Sequence, residues 1–416
     1  MSREVRKLET EKEFHDYARI CISAYPGFNM TMERLPGRYQ EMQQNDPTSA
    51  YWGVFEDGQM VGGMRLIDYQ MNYFGRFIPT GGVGMVAVDL IHKKRHVAKD
   101  IIQFFIDHFQ EKGAYLTMLY SFRPDFYHQM GFGYGLKQHR YSFQPSSLPR
   151  TVRPHGVVYL TPEDTDAIEE CYNLRAEGQH GYCRKSRYEL ESMVKGFSAN
   201  RAIVGYRKDG QLLGYVAFGF KKAHEHNSVK NDLVIKEWIW NGPEALATLC
   251  SFLNTQADQI NRIIFDTQKS DFHFLLKDVR SGTDNIIPPV YHETNTSGLG
   301  LMYRITAVDK FLESTAYRNF NEVTADLVVQ VEDTFCPDAA GSYRIRFADG
   351  LVTVERGGGK AIDLALDVTD LSALLMGSAE ITTLYDLGRV RVAPEHLGTL
   401  RELFRVDQKP ECITAF

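Results

Sequence analysis

Residues 83–113, VGMVAVDLIHKKRHVAKDIIQFFIDHFQEKG, decide the fold of the N-terminal part of the chain. Residues 83–88 are a short apolar run, which is typical of a buried strand. From Ile101 to Phe109 apolar residues recur at helical spacing, and Gly113 is well placed to end that helix. We therefore predict a strand, a turn and a helix in direct succession.

The turn between this strand and this helix is basic. Residues 89–99 hold four Lys/Arg and two His in eleven positions. A helix start offers unpaired N–H groups and a partial positive charge, so with added cations it suits a phosphate or pyrophosphate. Neither a Walker loop nor a GxGxxG fingerprint is present. The alternative is a solvated basic patch without a ligand.

After a predicted strand at 115–120 the chain enters an aromatic, glycine-containing loop. Residues 126–132 read FYHQMGF, and the loop continues to Gly135. Upstream, a predicted helix at 11–25 is broken by Tyr25-Pro26-Gly27-Phe28. A second helix is predicted before Asp46.

Composition limits the classes of function. The chain has 416 residues and a net charge of −6, which argues against nucleic acid as a partner and mildly favours cationic substrates. Its six cysteines are scattered, so we expect reduced thiols in a cytoplasmic protein and no metal site. The charged N-terminus and the lack of a long apolar run lead us to expect neither a signal peptide nor a membrane span.

A domain-sized pattern occurs twice. The predicted hairpin YWGVFEDGQMVGGMRLI at 51–67 returns as AIVGYRKDGQLLGYVAF at 202–218, and aligning the two Asp-Gly-Gln triplets gives an offset of 152 residues. A strand, a helix and a strand follow the second copy as well. The second copy lacks the basic turn and the FYHQMGF loop, so we expect it to be structural or to wall the first copy's pocket. A Pro/Ser-rich link is predicted at 145–154.

The last part of the chain, from about Tyr291, changes in character. It holds several predicted strands, beginning at 303–308, followed by helices, one of them at 370–377. This order suggests an α+β unit. It resembles the sterol-carrier-like domain. Its function would be either to bind a lipid or to act as a scaffold that supports the first domain, and we favour the scaffold.

The first copy resembles the GNAT family of acyl-CoA N-acyltransferases. In that family the turn reads R/Q-x-x-G-x-A/G, which corresponds here to Lys93–Ala98, with His96 in the glycine position. The loop FYHQMGF fits the family's F-Y-x-x-x-G-F signature. The whole chain resembles the Eis-type (enhanced intracellular survival) N-acetyltransferases. The implied fold is mixed α/β and α+β: a catalytic GNAT domain at 1–148, a degenerate GNAT-like domain at 149–290, and a sterol-carrier-like domain at 291–416.

The resemblance also implies roles for individual residues. The hydroxyl of Tyr127 would act as general acid, and the carboxylate of the C-terminal residue Phe416 as general base. Tyr25 and Phe28 would line the acceptor site, with plain packing as the alternative. Acetyl-CoA would be held by ten residues: Val86, Ala87, Val88, Lys93, Lys94, Arg95, His96, Val97, Ala98 and Ser121.

The implied function is acetyl transfer from acetyl-CoA to primary amines of a cationic acceptor, such as an aminoglycoside, a lysine side chain or a polyamine. The implied assembly is a trimer or hexamer. The competing hypothesis is a non-catalytic CoA- or lipid-binding protein on a GNAT scaffold, which His96 in the glycine position would favour.

Overall fold

The computed structural model describes residues 3–150, 154–196, 200–358, 361–414 and 416. The chain divides into two compact units. The first unit comprises Met1–Leu136, Gly300–Pro410 and Thr414–Phe416, and the second comprises Lys137–Leu299 and Glu411–Ile413. The first GNAT copy and the C-terminal region therefore share one unit.

Up to residue 136 the chain forms six strands and four helices over its described residues. The strands are β1 (Glu4–Lys7), β2 (Ser49–Glu56), β3 (Gln59–Tyr73), β4 (Arg76–Val88), β5 (Leu116–Tyr120) and β6 (Gly133–Tyr134). The helices are α1 (Glu11–Ala24), α2 (Leu35–Asn45), α3 (Val97–Glu111) and α4 (Pro124–His128).

The middle of the chain follows the same plan. Its strands are β7 (Gln138–Phe143), β8 (Val157–Tyr159), β9 (Arg201–Lys208), β10 (Gln211–Lys222), β11 (Asn231–Trp240), β12 (Ile260–Thr267), β13 (Ile286–Ile287), β14 (Tyr291–His292) and β15 (Asn295–Gly298). Its helices are α5 (Thr165–Glu177), α6 (Arg187–Lys195) and α7 (Pro243–Asn254).

The C-terminal part has strands first and helices mainly after them. Its strands are β16 (Leu301–Ile305), β17 (Ala325–Glu332), β18 (Gly341–Ala348), β19 (Leu351–Arg356), β20 (Leu364–Asp367) and β21 (Val390–Val392). Its helices are α8 (Val308–Ser314), α9 (Val368–Met376), α10 (Ile381–Asp386) and α11 (Pro394–Phe404).

The first sheet contains a strand from far along the sequence. Over the described residues its order is β1-β2-β3-β4-β5-β16-β6, with β4 and β5 parallel and the other neighbours antiparallel. Helix α3 packs its apolar face on this sheet, and the face includes Ile101, Phe105 and Phe109, all buried. The helical spacing of these apolar residues in the sequence predicted this helix. The strand predicted at 303–308 is therefore β16, and it completes the first GNAT sheet rather than the C-terminal sheet.

The second sheet also contains a strand from outside its own sequence repeat: β7, which follows the first copy. Its order over the described residues is β15-β7-β12-β11-β10-β9-β8. Asp57-Gly58 and Asp209-Gly210 both form the predicted hairpin turns, with positive φ at all four residues. Pro145–Ser147, in the predicted link, form a short 3₁₀ turn, and residues 151–153 of that link lie outside the described residues.

These pairings cross the predicted domain boundaries at 148 and 290. Strand β7 precedes residue 148 but belongs to the second sheet, and β16 follows residue 290 but belongs to the first. Alternating apolar residues show that a segment is a strand, but they do not identify its neighbour in the sheet. The boundaries drawn from composition therefore differ from those drawn by the hydrogen bonds.

The C-terminal region forms a five-stranded sheet in the order β19-β18-β17-β20-β21, counted over the described residues. Helix α9 is buried at every position. Its Ser372 hydroxyl accepts a hydrogen bond from the backbone N–H of Ile305 in β16, at 3.0 Å. In addition, a Cβ on Gly133 of β6 would lie 2.0 Å from the carbonyl oxygen of Thr369. Helix α9 therefore fits closely against the GNAT sheet, which supports the interpretation of the C-terminal region as a scaffold.

A buried ion pair joins the same two parts of the first unit. The guanidinium of Arg304, in β16, donates to the carboxylate of Asp333, and both side chains are at most 1% exposed. Arg304 Nη1 also donates to the carbonyl oxygen of Met130, at 2.7 Å. The neighbouring Gly131 has φ +81°, and a Cβ there would lie 1.3 Å from Arg304 Nη1. The glycine of the F-Y-x-x-x-G-F loop is therefore required both by backbone conformation and by space.

We expect Asp333→Ala to destabilise the protein strongly, because it leaves the Arg304 guanidinium buried without its counter-charge. Loss of one partner of a buried pair costs about 3–5 kcal/mol. The matched control is Asp326→Ala, which removes a partner of Arg344 and Arg346 at a site 44% exposed and should cost at most about 1 kcal/mol. Urea midpoints of both variants measure the difference; equal midpoints would contradict the prediction.

Candidate active site

Strand β4 carries a β-bulge near its C-terminal end. Gly63 of β3 pairs with Ala87, but Arg65 pairs with Gly84, so β4 has one extra residue between these pairs. Met85, inside the bulge, has φ +51°. The hydroxyl of Tyr17, on α1, donates to the Met85 carbonyl oxygen and holds the bulge from one side.

Strands β4 and β5 separate where the bulge begins. The parallel pairing between them covers Thr80–Val83 and Leu116–Leu119, so the end of β4 has an edge that β5 does not pair. The Asp89 N–H donates to Val61 on the β3 side, and successive residues of a strand alternate in direction. The backbone groups of Val86 and Val88 therefore point to the unpaired edge. Such an edge can accept an extended ligand as if it were a strand.

The turn after β4 is held by its own capping bonds. The carboxylate of Asp89 accepts from the N–H of Ile91 and pairs with Arg19 of α1, at 3.1 Å. A 3₁₀ turn, Leu90–His92, leads to the start of α3. His96 is the N-cap residue of α3 and has φ +64° and ψ +8°, a left-handed conformation. This is the conformation that glycine adopts most readily, which explains why glycine is expected at this position.

The charges of the turn fall into two groups. Arg95 pairs with Glu56, which also pairs with Arg3, so the Arg95 guanidinium is held by one carboxylate of the protein. Lys93 and Lys94 are exposed, and neither makes an ion pair within the ranges that the structure describes. The first N–H groups of α3 have no intrahelical partner. An anionic ligand would therefore meet these N–H groups together with the two lysines.

Tyr127 lies in α4 and is 3% exposed. It belongs to the hydrophobic cluster that contains Val83 and Val97, against which Val86 and Val88 pack. Burial raises the pKa of the Tyr127 hydroxyl above its ordinary value, and the nearby Tyr25 adds to the effect. The hydroxyl therefore stays protonated at neutral pH and has a proton to donate.

Phe416 is docked on β4. Its ring lies between Tyr69 of β3 and Tyr120 of β5, with centroid distances of 5.4 and 4.8 Å. Its backbone carbonyl carbon lies 2.8 Å from where a Cβ on Gly84 would stand. A side chain at Gly84 would thus collide with the backbone of Phe416, which lies beside the residue that precedes Met85 of the bulge.

Three further residues predicted for the site, Ser121, Tyr25 and Phe28, make specific hydrogen bonds or ring contacts within the protein. The Ser121 hydroxyl donates to the carbonyl oxygen of Gly300, at 3.1 Å, so its proton is already in use. Tyr25 donates through its hydroxyl to the carbonyl oxygen of Val86, and its ring contacts Phe28 at a centroid distance of 5.7 Å. Both acceptor-site candidates therefore lie on the Val86 side of β4.

Sequence reasoning missed four aromatic residues that build this site. Tyr17 holds the bulge, Tyr69 and Tyr120 hold the Phe416 ring, and Phe122 contacts both Tyr25 and Tyr127. Phe122 had a detectable signal, because it follows a predicted strand and binding residues are concentrated on loops. The other three are indistinguishable from core residues in the sequence.

The second sheet has the same frame with different contents. With the offset of 152 residues, Trp238 and Trp240 occupy the positions of Val86 and Val88. Trp238 is buried in the core of this unit, 5.5 Å from Phe265 between ring centroids. The first turn of α7 carries an acid, Glu244, which binds Lys208 at 2.9 Å. In the second copy two indole rings thus replace two valines, and Asn241-Gly242 precede the helix in place of the basic turn.

The matches to known families follow the two sheets and the C-terminal region. Residues 4–135 match the model of an acetyltransferase (GNAT) domain, and residues 181–305 match a second acetyltransferase (GNAT) domain model. Residues 308–413 match the sterol carrier protein domain. The chain is a tandem GNAT acyltransferase. The predicted Eis-type organisation, two GNAT folds followed by a sterol-carrier-like domain, is confirmed.

Relatives of this GNAT acyltransferase cover most of its length. An uncharacterized N-acetyltransferase of Streptomyces avermitilis is 26% identical in an alignment of 352 residues, and the match covers 82% of each chain. A GCN5-related N-acetyltransferase from Anabaena variabilis has the same fold, with a TM-score of 0.82, 16% identity and full coverage of both chains. Eis1 from Mycobacterium abscessus also shares the fold, with a TM-score of 0.74, 17% identity and full coverage. No helix among the described residues is long and apolar enough to cross a membrane.

We expect the double substitution Lys93→Glu/Lys94→Glu to weaken coenzyme A binding by about 100-fold or more. Two charge-assisted bonds to phosphate, each contributing about 1.5–3 kcal/mol, would be lost and replaced by repulsion. Isothermal titration with coenzyme A measures the dissociation constant.

The matched control is Lys221→Glu/Lys222→Glu, two adjacent exposed lysines of the second unit, which change the net charge by the same amount. An equal loss of affinity in both double variants would show a general charge effect, and no loss in the first would remove the anion site from this turn.

Proposed function

We propose that the first GNAT unit transfers the acetyl group of acetyl-CoA directly to a primary amine. The observation that carries this proposal is the gap between β4 and β5. It begins after Val83, is lined by the backbone of Val86 and Val88, and leads to a helix start flanked by Lys93 and Lys94. An extended thiol arm ending in a pyrophosphate suits these features: backbone pairing along a strand edge and an anion site at its end.

The groups around the gap are those that acetyl transfer requires. The carboxylate of Phe416 accepts a proton from the substrate ammonium, directly or through water, and so frees the amine to attack. The N–H of Val88 stabilises the negative charge that develops on the thioester carbonyl oxygen. The hydroxyl of Tyr127 gives its proton to the thiolate as the C–S bond breaks, and it recovers a proton, through water, from the second N–H that the attacking nitrogen loses when it becomes an amide. Holding amine and thioester side by side contributes much of the remaining rate, and no covalent enzyme intermediate is needed.

Each residue predicted to hold the cofactor has its own role in this proposal. Val86, Ala87 and Val88 offer the strand edge, while Val97 and Ala98 offer the first N–H groups of α3. Lys93 and Lys94, both exposed, supply positive charge. Arg95 acts from within its ion pair with Glu56, where it fixes the turn, and Ser121 retains an acceptor lone pair for the cofactor.

His96 in the glycine position is compatible with cofactor binding at this turn. It already adopts the left-handed conformation of a glycine, and its side chain is exposed. The competing function, a CoA- or lipid-binding protein without catalysis, predicts acetyl-CoA binding without release of free thiol when amines are added. A thiol-release assay with acetyl-CoA and a panel of amines distinguishes the two.

Other properties stay predictions from the resemblance. They are assembly as a trimer or hexamer, a cytoplasmic location, and aminoglycosides, lysine side chains or polyamines as acceptors. Size-exclusion chromatography with light scattering tests the first.

We expect Tyr127→Phe to lower kcat by about 10²–10⁴-fold, the usual contribution of a general acid or base, while acetyl-CoA binding persists. The ring remains in its cluster, so folding is not affected. Tyr134→Phe is the control, because Tyr134 belongs to the same loop and its ring contacts His128. If the Tyr127 variant turns over at the parent rate, the hydroxyl is not the acid.

We expect two glycines added after Phe416 to lower kcat by a similar factor, because the Phe416 carboxylate becomes a peptide amide that cannot accept a proton. Phe416→Tyr, which keeps both a ring and a terminal carboxylate, should retain activity. Parent-like turnover in an extended protein that binds acetyl-CoA would assign the proton to another acceptor.

A further inference from the structure

Three aromatic rings line the acceptor side of the proposed reaction centre. Tyr25 contacts Phe28 and Phe122 edge-to-face, with centroid distances of 5.7 and 6.2 Å. Phe28 is 67% exposed and Phe122 is 63% exposed. Two phenyl rings that contact the same tyrosine and are both largely exposed form an apolar patch, and exposed apolar patches occur at ligand-binding grooves.

This aromatic patch is connected to the reacting groups. The Tyr25 hydroxyl donates to the carbonyl oxygen of Val86, on the strand edge proposed for the cofactor. The ring of Phe122 lies 6.1 Å from the ring of Tyr127. A molecule resting on Phe28 and Phe122 would therefore be next to both the thioester and the proposed acid.

The patch carries little negative charge. The two segments that hold the rings, residues 25–34 and 121–127, contain two acids, Glu33 and Asp125, and two bases. Asp125 is already paired with Arg123. Asp89, the residue directly after β4, is buried and paired with Arg19. A polycation would need several unpaired carboxylates here, whereas the Phe416 carboxylate beside Gly84 can balance one ammonium.

We infer that the acceptor is a primary amine with a single positive charge on an apolar, preferably aromatic, carbon skeleton. This inference rests on the proposed acetyl transfer. The ammonium is drawn to the Phe416 carboxylate, and aromatic faces attract cations in addition. The carbon skeleton packs on Phe28 and Phe122, where it removes apolar surface from water. The geometry thus favours arylalkylamines over aminoglycosides and polyamines.

The test compares kcat/KM values for 2-phenylethylamine, hexylamine, putrescine, spermidine and kanamycin with acetyl-CoA as donor. We expect 2-phenylethylamine to exceed putrescine and kanamycin by at least about 10-fold, with the difference mainly in KM, since burial of one ring is worth roughly that factor or more.

Phe28→Ala and Phe122→Ala identify the cause of the preference. Each should lower the ratio of kcat/KM for 2-phenylethylamine to that for putrescine by about 10-fold. The control is Phe274→Ala, which removes a phenylalanine 85% exposed in the second unit and should leave the ratio unchanged.

The outcomes separate this inference from the proposed function. Higher kcat/KM for the polycations, or ring variants with the parent ratio, overturns the inference while acetyl transfer stands. Acetyl-CoA binding by calorimetry without turnover of any amine overturns both the inference and the catalytic proposal. A preference for arylalkylamines that depends on Phe28 and Phe122 supports the inference.

Discussion

The contact between Arg304 and Asp333 controls the position of the loop that carries Tyr127. The guanidinium is enclosed by the protein, so its charge must be balanced within reach, and the Asp333 carboxylate at the end of β17 does this. The same guanidinium binds the Met130 carbonyl oxygen, three residues after Tyr127. The loop of the first GNAT fold is thus fixed by a strand and a carboxylate that lie far along the sequence. This contact supports the interpretation of the C-terminal region as a scaffold for the first GNAT fold.

The parts of the fold that the sequence predicted well are those formed by neighbouring residues. The strand, basic turn and helix of residues 83–113 follow from local apolar patterns, and both Asp-Gly turns follow from residues that tolerate positive φ. The membership of β7 and β16 in their sheets was not predictable, because the pattern of a strand does not specify its partner. The ion pair of Arg95 with Glu56 was missed for the same reason. Within the site, the basic turn was visible in the sequence, whereas Tyr17 and Tyr69 act through contacts made only in the folded chain.

The two GNAT folds show that the backbone frame and the chemistry are separable. Both have a hairpin, a long strand, a helix and a parallel strand in the same order. In the first, small side chains at Val86 and Val88 leave the strand edge accessible; in the second, Trp238 and Trp240 fill the corresponding positions. The replacement of two valines by two indoles is compatible with the fold, because the added rings have a core of their own to enter.

The exchange of β7 and β16 has a consequence for synthesis on the ribosome. Chains emerge N-terminus first, at about 5–20 residues per second. The first sheet has β5 and β6 early, yet β16, which lies between them, emerges roughly 10–30 s later at that rate. During this interval the edges of β5 and β6 are open, and open strand edges pair readily with other chains. The first sheet can therefore be completed only after residues 301–305 have left the ribosome.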